Sequence, residues 1–419
     1  MDRWRRQEAK AGELTSPVMS RSNLLLQTAL SASIAILPGC ASLVSRDFVP
    51  EPLATTAKIA NMPTVRVWGD EPGGAALVEL LRRPMPRLED PVAVAPPGAG
   101  TLDILAISGG GEDGAFGAGL LVGWSEAGTR PDFAVVTGIS AGALAAPFVF
   151  LGSRHDADLR DVFTKYRRAD IYDPGLLGPF TSTGLVDSSP LANLIAHYVD
   201  DAFLAEVARE RRKGRVLLIG TTNLDVQRPV LWDMGRIAMS GHPDALNLFR
   251  KVLLASASIP GVFPAVRIKV DVEGRTYEEL HVDGGVTRQV FVAPPPTATQ
   301  GLAAVSRGRV VRRLFVIRNG KVGAEWEAVR ADVVSISSRA VSTLIKNQGI
   351  GDLYRIYAMS RAEGTDFNLA AIPATFNVPL AEAFDPTYMR ALYREGYRAG
   401  LIGYSWLKAP PDWNEPAAR

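Results

Sequence analysis

The fold of this chain is decided by the stretch Gly138-Ile139-Ser140-Ala141-Gly142. It lies between an apolar run at 133–137 and a run of small and apolar residues at 141–150. A serine with a glycine two residues away on either side is typical of a sharp turn from a strand into a helix, because backbones crowd there and a flanking Cβ would clash. Such a turn exposes the serine hydroxyl at a helix N-terminus, whose partial positive charge favours an attacking alkoxide. The spacing alone also fits an ordinary glycine-rich turn.

A second glycine-rich segment precedes this turn. Residues 102–108 (LDILAIS) form a nearly continuous apolar run, which predicts a central parallel strand covered on both faces. The run leads directly into GGGEDGAFGAG at 109–119. A glycine-rich turn between a strand and a helix presents backbone N–H groups to an anion. The sequence therefore predicts an anion-binding loop, although a tight turn without any ligand also fits.

Two anions are compatible with this loop. One is a nucleotide phosphate, since GxGxxG can be read at 109–114, and the other is the oxyanion of an acyl-transfer intermediate. A nucleotide site would need a suitably placed acidic ribose ligand or a Walker-type lysine, and this unit has neither. The loop is therefore predicted to bind an oxyanion.

A third segment supplies a carboxylate. Residues 278–282 predict a strand that runs into DGG at 283–285. Because strand ends that are distant in sequence lie together in a parallel sheet, we expect Asp283 to point into the same cleft as Ser140. His281 is the other candidate base, but it lies about 7 Å further back on the strand. Hydrogen-bond reach to the serine favours Asp283, while Asp-Gly-Gly alone is also a common turn.

Taken in order, GGGxxG at 109, GxSxG at 138 and DGG at 283 resemble the motifs of the patatin-like phospholipase family. The segment ASASIPGVFP at 255–264 is similar to the serine- and proline-containing segment that precedes the aspartate in that family. The resemblance covers about residues 102–291. It implies a three-layer α/β fold with a parallel-rich central sheet and helices on both faces. It also implies a serine acyl hydrolase that cleaves lipid acyl esters through an acyl-enzyme intermediate, with no cofactor and no metal.

The resemblance assigns a role to each motif. It implies that Ser140 is the nucleophile and that Asp283 accepts or steers its proton in a Ser-Asp dyad. It further implies that the backbone N–H groups around three loop glycines form the oxyanion hole, namely Gly109, Gly110 and Gly111. The remaining motif glycines are Gly114, Gly138, Gly142, Gly284 and Gly285.

One loop position departs from the family pattern. The family usually has arginine or lysine before the last glycine of the loop, whereas this chain has Asp113 there, after Glu112. Two carboxylates cannot attract an anionic lipid head group, although they favour the N-terminus of the following helix. A neutral acyl ester is therefore as compatible with the loop as a phospholipid. The alternative functions are a non-lipid carboxylesterase or acyltransferase, and a catalytically silent envelope lipoprotein with a binding role. The intact motifs favour an active enzyme.

The N-terminus predicts a lipoprotein signal. Residues 24–37 form an apolar stretch behind several arginines and are too short to span a bilayer comfortably. The stretch ends in LPGCAS at 37–42, which resembles the signal of bacterial lipoproteins with Cys40 as the lipidated residue, although Pro38 stands where a small or hydroxylated residue is usual. A buried free thiol at Cys40 is the alternative. The segment before Met19 is unusually long, which favours Met19 as the true start.

Lipidation of Cys40 would anchor the protein to a membrane, because several acyl chains give stable attachment where a single chain is marginal. No aspartate follows Cys40, which among lipoproteins of Gram-negative bacteria points to the outer membrane. We therefore expect a lipid-anchored protein of the cell envelope that faces the periplasm.

The composition limits the classes of function. The 419 residues are 47% hydrophobic and 21% charged, which is enough apolar sequence for a large core. With 46 basic and 44 acidic residues and no basic stripe between aromatics, the chain is not predicted to bind nucleic acid. One cysteine excludes an intrachain disulfide framework, and four histidines without ligand spacing give no reason to predict a metal site.

Four segments follow from these observations. They are the signal peptide at 1–40, a Pro/Ala-rich tether and N-terminal extension at 41–100, an acyl hydrolase domain at 101–408 and a tail at 409–419. Within the domain, the pattern predicts helices at 190–212 and 331–347, a flap at 170–184, and an amphipathic terminal segment at 383–406 that packs on the core.

Overall fold

A mixed β-sheet forms the centre of the structure, a computed structural model that describes residues 46–71, 101–173, 186–292, 311–326, 328–411 and 413. These residues belong to one unit of the chain, Arg46–Arg419. The predicted signal peptide with Cys40, residues 72–100 of the predicted tether, most of the predicted flap and most of the tail lie outside the described residues.

Nine strands of the described residues make up this sheet. In chain order they are β1 (Arg66–Trp68), β2 (Thr101–Ile107), β3 (Val135–Gly138), β4 (Val216–Asn223), β5 (Arg228–Asp233), β6 (Val266–Val272), β7 (Arg275–Asp283), β8 (Val311–Arg318) and β9 (Asp366–Ala371). The order across the sheet is β1-β5-β4-β3-β2-β8-β9, and the β6–β7 hairpin joins it through β4. The strands β4, β3, β2, β8 and β9 are parallel, whereas β1, β5 and the hairpin join by antiparallel pairing.

Helices cover both faces of the sheet. In chain order the described helices are α1 (Gly114–Glu126), α2 (Ala141–Leu151), α3 (Asp156–Thr164), α4 (Arg168–Ile171), α5 (Ser189–Tyr198), α6 (Asp201–Arg212), α7 (Met234–Met239), α8 (Ala245–Ser256), α9 (Val333–Glu363) and α10 (Pro386–Leu401). Residues of α9 pack into the core on one face, and residues of α1, α2, α8 and α10 pack into the core on the other. Within the described ranges, no helix has both the length and the apolar character needed to cross a membrane.

The central strand β2 shows why the sheet has a layer of helices on each side. Leu105 and Ile107 belong to the core that contains α1 and α2, whereas Ile104 and Ala106 belong to the core that contains α9. Alternate residues of a strand point to opposite faces, so a run that is apolar at every position must be covered on both. The predicted three-layer α/β fold with a mostly parallel sheet is therefore confirmed.

The segment before residue 72 is part of this fold. Ile59, Met62 and Val65 are buried in the core, and β1 pairs with β5. Arg66 also forms an ion pair with Glu279 of β7. Residues 46–70 therefore form an ordered part of the predicted tether and N-terminal extension, with β1 as an edge strand of the sheet.

The helices α1 and α10 pack backbone to backbone. α1 carries Gly119 and Gly123, and α10 carries Gly396 and Gly400, so that each pair shares one helix face. A Cβ at any of these four positions would overlap backbone atoms of the other helix. The predicted packing of the terminal segment on the core is confirmed, and glycine backbone forms the centre of the contact.

Two predicted helices differ in extent from those in the structure. The helix predicted at 331–347 is only the first half of α9. The helix predicted at 190–212 is divided into α5 and α6, because the side chain of Asp200 accepts the backbone N–H of Phe203 and caps a new helix there.

Candidate active site

Two strand ends meet head to head on one edge of β4. β3 pairs with this edge as far as Gly138, which lies opposite Ile219. β7 runs antiparallel to β4 and pairs with the same edge two residues further on, where Asp283 lies opposite Thr221. The opposite edge of β4 is occupied by β5. Asp283 therefore reaches the turn after β3 from an antiparallel strand, and the expected parallel arrangement of the two strands is wrong.

The turn after β3 places Ser140 in a backbone conformation that residues other than glycine rarely adopt. Its backbone has φ 54° and ψ −123°, and it directly precedes α2. Positive φ at a residue with a Cβ is strained and persists only where the surroundings enforce it. Here a Cβ at Gly142 would overlap the carbonyl oxygen of Ile107, and one at Gly138 would overlap the carbonyl oxygen of Gly142. Both flanking glycines are therefore required by close backbone packing, as predicted.

Ser256 supports this turn, which the sequence did not reveal. Its hydroxyl accepts the backbone N–H of Ser140 at 3.0 Å and donates to the carbonyl of Gly220 at 2.7 Å. One hydroxyl thus ties the turn to β4, and it comes from the segment 255–264. The only signal for it in the sequence is the run of small residues in that segment.

Replacing Ser256 by alanine is expected to lower the free energy of unfolding by about 2–3 kcal/mol, because the N–H of Ser140 and the carbonyl of Gly220 are left buried and unpaired. The reactivity of the Ser140 hydroxyl should fall as well, since the strained turn loses a support. Urea unfolding would measure the first effect. The matched control is Ser258→Ala, whose hydroxyl donates only to the carbonyl of Leu254. Equal losses in both variants would contradict this role of Ser256.

The carboxylate of Asp283 accepts the backbone N–H of Gly285 at 2.6 Å. Burial raises the pKa of Asp283 to about 6, although the Ser140 hydroxyl and the Gly285 N–H act in the opposite direction. A carboxylate with a pKa near neutrality is a better proton acceptor than an ordinary exposed aspartate.

His281 is engaged elsewhere. Trp232 donates its indole N–H to the hydroxyl of Thr221 at 2.8 Å, and the same hydroxyl is hydrogen-bonded to Nδ1 of His281 at 2.9 Å. Nε2 of His281 is hydrogen-bonded to Glu279 at 2.9 Å. The ring is fully buried, which lowers the pKa of His281. Both ring nitrogens therefore have partners other than Ser140, and the preference for Asp283 over His281 agrees with the geometry.

The glycine loop after β2 lies against Ser140. A Cβ added to Gly109 would come within 3.1 Å of the Ser140 Cβ. The N–H of Gly109 donates to the carbonyl of Gln289 at 3.0 Å. Within the part of the chain that the structure describes, the N–H groups of Gly110 and Gly111 donate to no protein acceptor. Of the three predicted oxyanion donors, these two are the ones with an open N–H.

Asn319, which directly follows β8, holds the loop in place. Its side-chain amide donates to the carbonyl of Ser108 at 3.0 Å, and its side-chain oxygen accepts the N–H of Gly117 at 3.1 Å. A Cβ on Gly110 would overlap the Asn319 carbonyl oxygen. Position 110 therefore requires glycine, because the loop passes so close to the backbone at the end of β8 that a Cβ has no room.

The loop does have a cation beside it, although its own sequence supplies none. Arg318 at the end of β8 is buried, and its guanidinium approaches the Ser108 hydroxyl at 3.4 Å and the Gly109 carbonyl at 3.5 Å. Tyr388 donates its hydroxyl proton to Asp113 at 2.6 Å. Burial raises the pKa of Asp113 to about 7, although Tyr388 and Arg318 oppose the shift. Asp113 therefore faces inward as a structural acceptor and does not present its charge to substrate.

Within the described ranges, no group of three or more His, Cys, Asp or Glu side chains is arranged to hold a metal ion.

Comparisons with known proteins give a family model and partial structural matches. The family model described as Patatin-like phospholipase matches residues 105–295, which include all three motifs. No curated protein matches the chain. Two solved structures are similar in part. The structure of VipD from Legionella pneumophila matches with 11% identity and a TM-score of 0.36, over 73% of this chain and 66% of that chain. The structure of full-length ExoU in complex with SpcU from Pseudomonas aeruginosa matches with 16% identity and a TM-score of 0.22, over 73% of this chain and 52% of that chain. The chain thus spans somewhat less than two thirds, and about half, of the lengths of these proteins.

Proposed function

We propose that this chain, which has the patatin fold and matches the patatin-like phospholipase model over 105–295, is a serine acyl hydrolase that cleaves lipid acyl esters. The observation that carries the proposal is the meeting of the Ser140 turn and the buried Asp283 on one edge of β4, close enough for the Ser140 hydroxyl to lower the pKa of Asp283. A serine hydroxyl is a weak nucleophile until an adjacent base takes its proton. The Ser-Asp pair supplies that base without a third residue.

The reaction proceeds in two balanced halves. The Ser140 oxygen forms a bond to the ester carbonyl carbon while its proton passes to Asp283, and the tetrahedral intermediate then expels the alcohol, which takes the proton back. Water repeats the sequence on the acyl-serine and releases the fatty acid. Asp283 thus serves as base and then as acid in each half.

The oxyanion of each intermediate is assigned to the N–H groups of Gly110 and Gly111. Within the described residues neither N–H has a protein acceptor, whereas the N–H of Gly109 is held by Gln289. Preorganised N–H donors stabilise developing negative charge most where water is excluded. In this assignment Gly109 shapes the oxyanion hole, and the N–H groups of the two following glycines are its hydrogen-bond donors.

A second candidate is a carboxylesterase or acyltransferase that acts on non-lipid esters. The inward-facing Asp113 favours it, because the loop has no exposed cation to hold an anionic head group. The membrane attachment through Cys40 and the location in the cell envelope stay predictions that rest on the sequence alone.

Substrate profiling separates these functions. The enzyme should be offered a long-chain phosphatidylcholine, a diacylglycerol and a short-chain nitrophenyl ester, with Ser140→Ala as the blank. Fatty acid release from the long-chain lipids supports the lipid hydrolase. Turnover of the short ester alone supports the second candidate, and an acceptor alcohol in the assay reveals acyl transfer. A folded protein that turns over none of them would favour the silent binding protein.

The pH dependence of catalysis follows from Asp283. Its carboxyl must be ionised to accept the serine proton, so kcat/KM for a soluble ester should rise with pH through about 6 and then level off. Below that point the rate should fall about tenfold per pH unit. Asp113→Asn is the matched control, because Asp113 is the neighbouring carboxyl with a pKa near neutrality. If the midpoint disappears in this variant, the titrating group is not Asp283.

A further inference from the structure

The carbonyl of Gly109 is held by polar side chains. The hydroxyl of Ser108, which is fully buried, donates to this carbonyl at 2.7 Å. The same hydroxyl accepts the backbone N–H of Asn319 at 2.8 Å, and Nη1 of Arg318 lies 3.4 Å from it. Because both of these neighbours can only donate, the single proton of the hydroxyl is committed to the carbonyl of Gly109.

Arg318 brings a positive charge to the same carbonyl. Its Nη1 lies 3.5 Å from the Gly109 oxygen, and only 5% of the side chain is exposed. A Cβ on Gly349 of α9 would come within 3.1 Å of the Arg318 Cζ, so this glycine leaves the space that the guanidinium occupies. The cation is therefore enclosed between the glycine loop and α9.

No ion pair neutralises the charge of Arg318 within the part of the chain that the structure describes. Asp113, Asp352 and Glu325 raise the pKa of Arg318 through space, whereas burial lowers it. Each of these carboxylates has a closer partner of its own. An arginine stays protonated even when buried, and solvent screens a buried charge only weakly. The guanidinium therefore acts strongly on the backbone dipoles beside it.

The peptide plane transmits this hold to the next residue. In a trans peptide the carbonyl of one residue and the N–H of the following residue point in opposite directions. A fixed carbonyl at Gly109 therefore fixes the direction of the Gly110 N–H. Gly109 is buried, whereas Gly110 is only half-buried. Hydrogen bonds to the carbonyl also polarise the peptide and make its N–H a stronger donor.

The second proposed oxyanion donor is held by backbone alone. The N–H of Asp113 donates to the carbonyl of Gly110 at 3.0 Å in the short turn before α1, which fixes the N–H of Gly111 by the same geometry. Of the two donor peptides, only the first depends on side chains. One of these, Ser108, directly precedes the three glycines, and the other, Arg318, lies outside the matched range 105–295.

We propose that Ser108 and Arg318 are positioning residues of the oxyanion hole, which hold the carbonyl of Gly109 so that the N–H of Gly110 is aimed and polarised for the oxyanion. Both act through this peptide and not by contact with the substrate. The inference rests on the proposed acyl hydrolase, because the oxyanion forms only during acyl transfer. An interaction made only in the transition state affects kcat and leaves KM unchanged.

The test compares kcat and KM of the full chain and its variants for a soluble ester, with urea unfolding as the check on folding. Ser108→Ala removes the hydroxyl, Arg318→Met removes the charge, and Arg318→Lys restores it. Thr137→Val is matched to the first variant, because the buried Thr137 hydroxyl also donates to a backbone carbonyl at 2.7 Å, that of Phe291. Arg250→Met is matched to the second, because Arg250 donates to backbone carbonyls near the end of α5.

We expect kcat to fall about 10- to 100-fold in Ser108→Ala and in Arg318→Met, with KM within about twofold of the parent. Arg318→Lys should recover most of the loss, and both controls should keep kcat within about twofold. The inhibition constant of a trifluoromethyl ketone should rise in parallel with the loss of kcat, because its adduct with Ser140 carries an oxyanion. The double variant should lose less than the product of the single losses, since both side chains act on one carbonyl.

An unchanged kcat in the folded Ser108→Ala and Arg318→Met variants overturns the inference and leaves the proposed hydrolase standing. A fall equal to that of the controls, or a change in KM alone, does the same, because either result would show a merely structural role. If Ser108→Ala does not fold, the comparison of Arg318→Met with Arg318→Lys decides. A folded parent that hydrolyses no ester and forms no adduct refutes the proposed function, and the inference with it.

Discussion

Replacing Ser140 by alanine is expected to abolish covalent labelling by a fluorescent fluorophosphonate and to lower kcat/KM for any accepted ester by at least about 10⁴-fold. The variant loses the only atom that forms the bond to the acyl carbon, while the turn itself should persist because backbone packing of Gly138 and Gly142 enforces it. Gel fluorescence of the labelled protein measures the first effect. Ser360→Ala is the matched control, because this buried serine donates only to the carbonyl of Ile356.

Two further variants distinguish Asp283 from His281 as the base that accepts the Ser140 proton. Asp283→Asn keeps the shape of the side chain but removes the proton acceptor, so labelling and turnover should fall about 10²- to 10⁴-fold. His281→Gln should lower the free energy of unfolding, because it disturbs the pair with Glu279, yet folded molecules should still be labelled. The assignment fails if His281→Gln is folded and unlabelled while Asp283→Asn is labelled as well as the parent.

Replacing Gly396 by alanine is expected to lower the free energy of unfolding by about 3 kcal/mol, close to the upper end of ordinary overpacking effects. The added Cβ would overlap the carbonyl oxygen of Phe116, and a backbone atom cannot swing away as a long side chain can. α1 and α10 must therefore separate. Because α1 follows the glycine loop directly, turnover should fall together with stability. Chemical denaturation and ester hydrolysis measure the two effects.

Gly351→Ala is the matched control for this prediction. Gly351 also lies within a helix, but it is exposed and an added Cβ would meet no atom within 4 Å. Alanine in a helix interior is favoured over glycine, so this variant should gain about 0.5–1 kcal/mol. A Gly396 variant that is stabilised like the Gly351 variant would show that α1 and α10 do not touch as described.

The sequence predicted the parts of the fold and site that local pattern determines. The apolar run before Gly109, the glycines around Ser140 and the aspartate before two glycines each carry their own signal within a few residues. The supports of the site carry less. Ser256 lies in the segment 255–264, whose family resemblance does not say what its hydroxyl binds, and Arg318 looks like any other arginine. The fold brings them to Ser140 and Ser108, 116 and 210 residues away.

The sequence also could not predict the direction in which β7 pairs with β4 or the exposure of the first half of α9. Nothing in the composition of β7 states that it runs antiparallel to β4, because apolar alternation is the same in either direction. The first half of α9 has the periodicity of a helix that packs on a core, yet its residues Val333, Ile336, Val341 and Leu344 are exposed. Local pattern thus determines the elements, and long-range contacts determine which side of them is used.

The glycine contact between α1 and α10 has a consequence for the order in which the protein acquires its structure. Tyr388 and Asp113, which join the two helices at the glycine loop, are 275 residues apart in the chain. During synthesis, α1 leaves the ribosome with its glycine face uncovered, and contacts of such long range close late because of the entropy of the intervening chain. A chain that stops before residue 386 lacks the surface on which α1 packs. α1 therefore completes its packing only after α10 has been made.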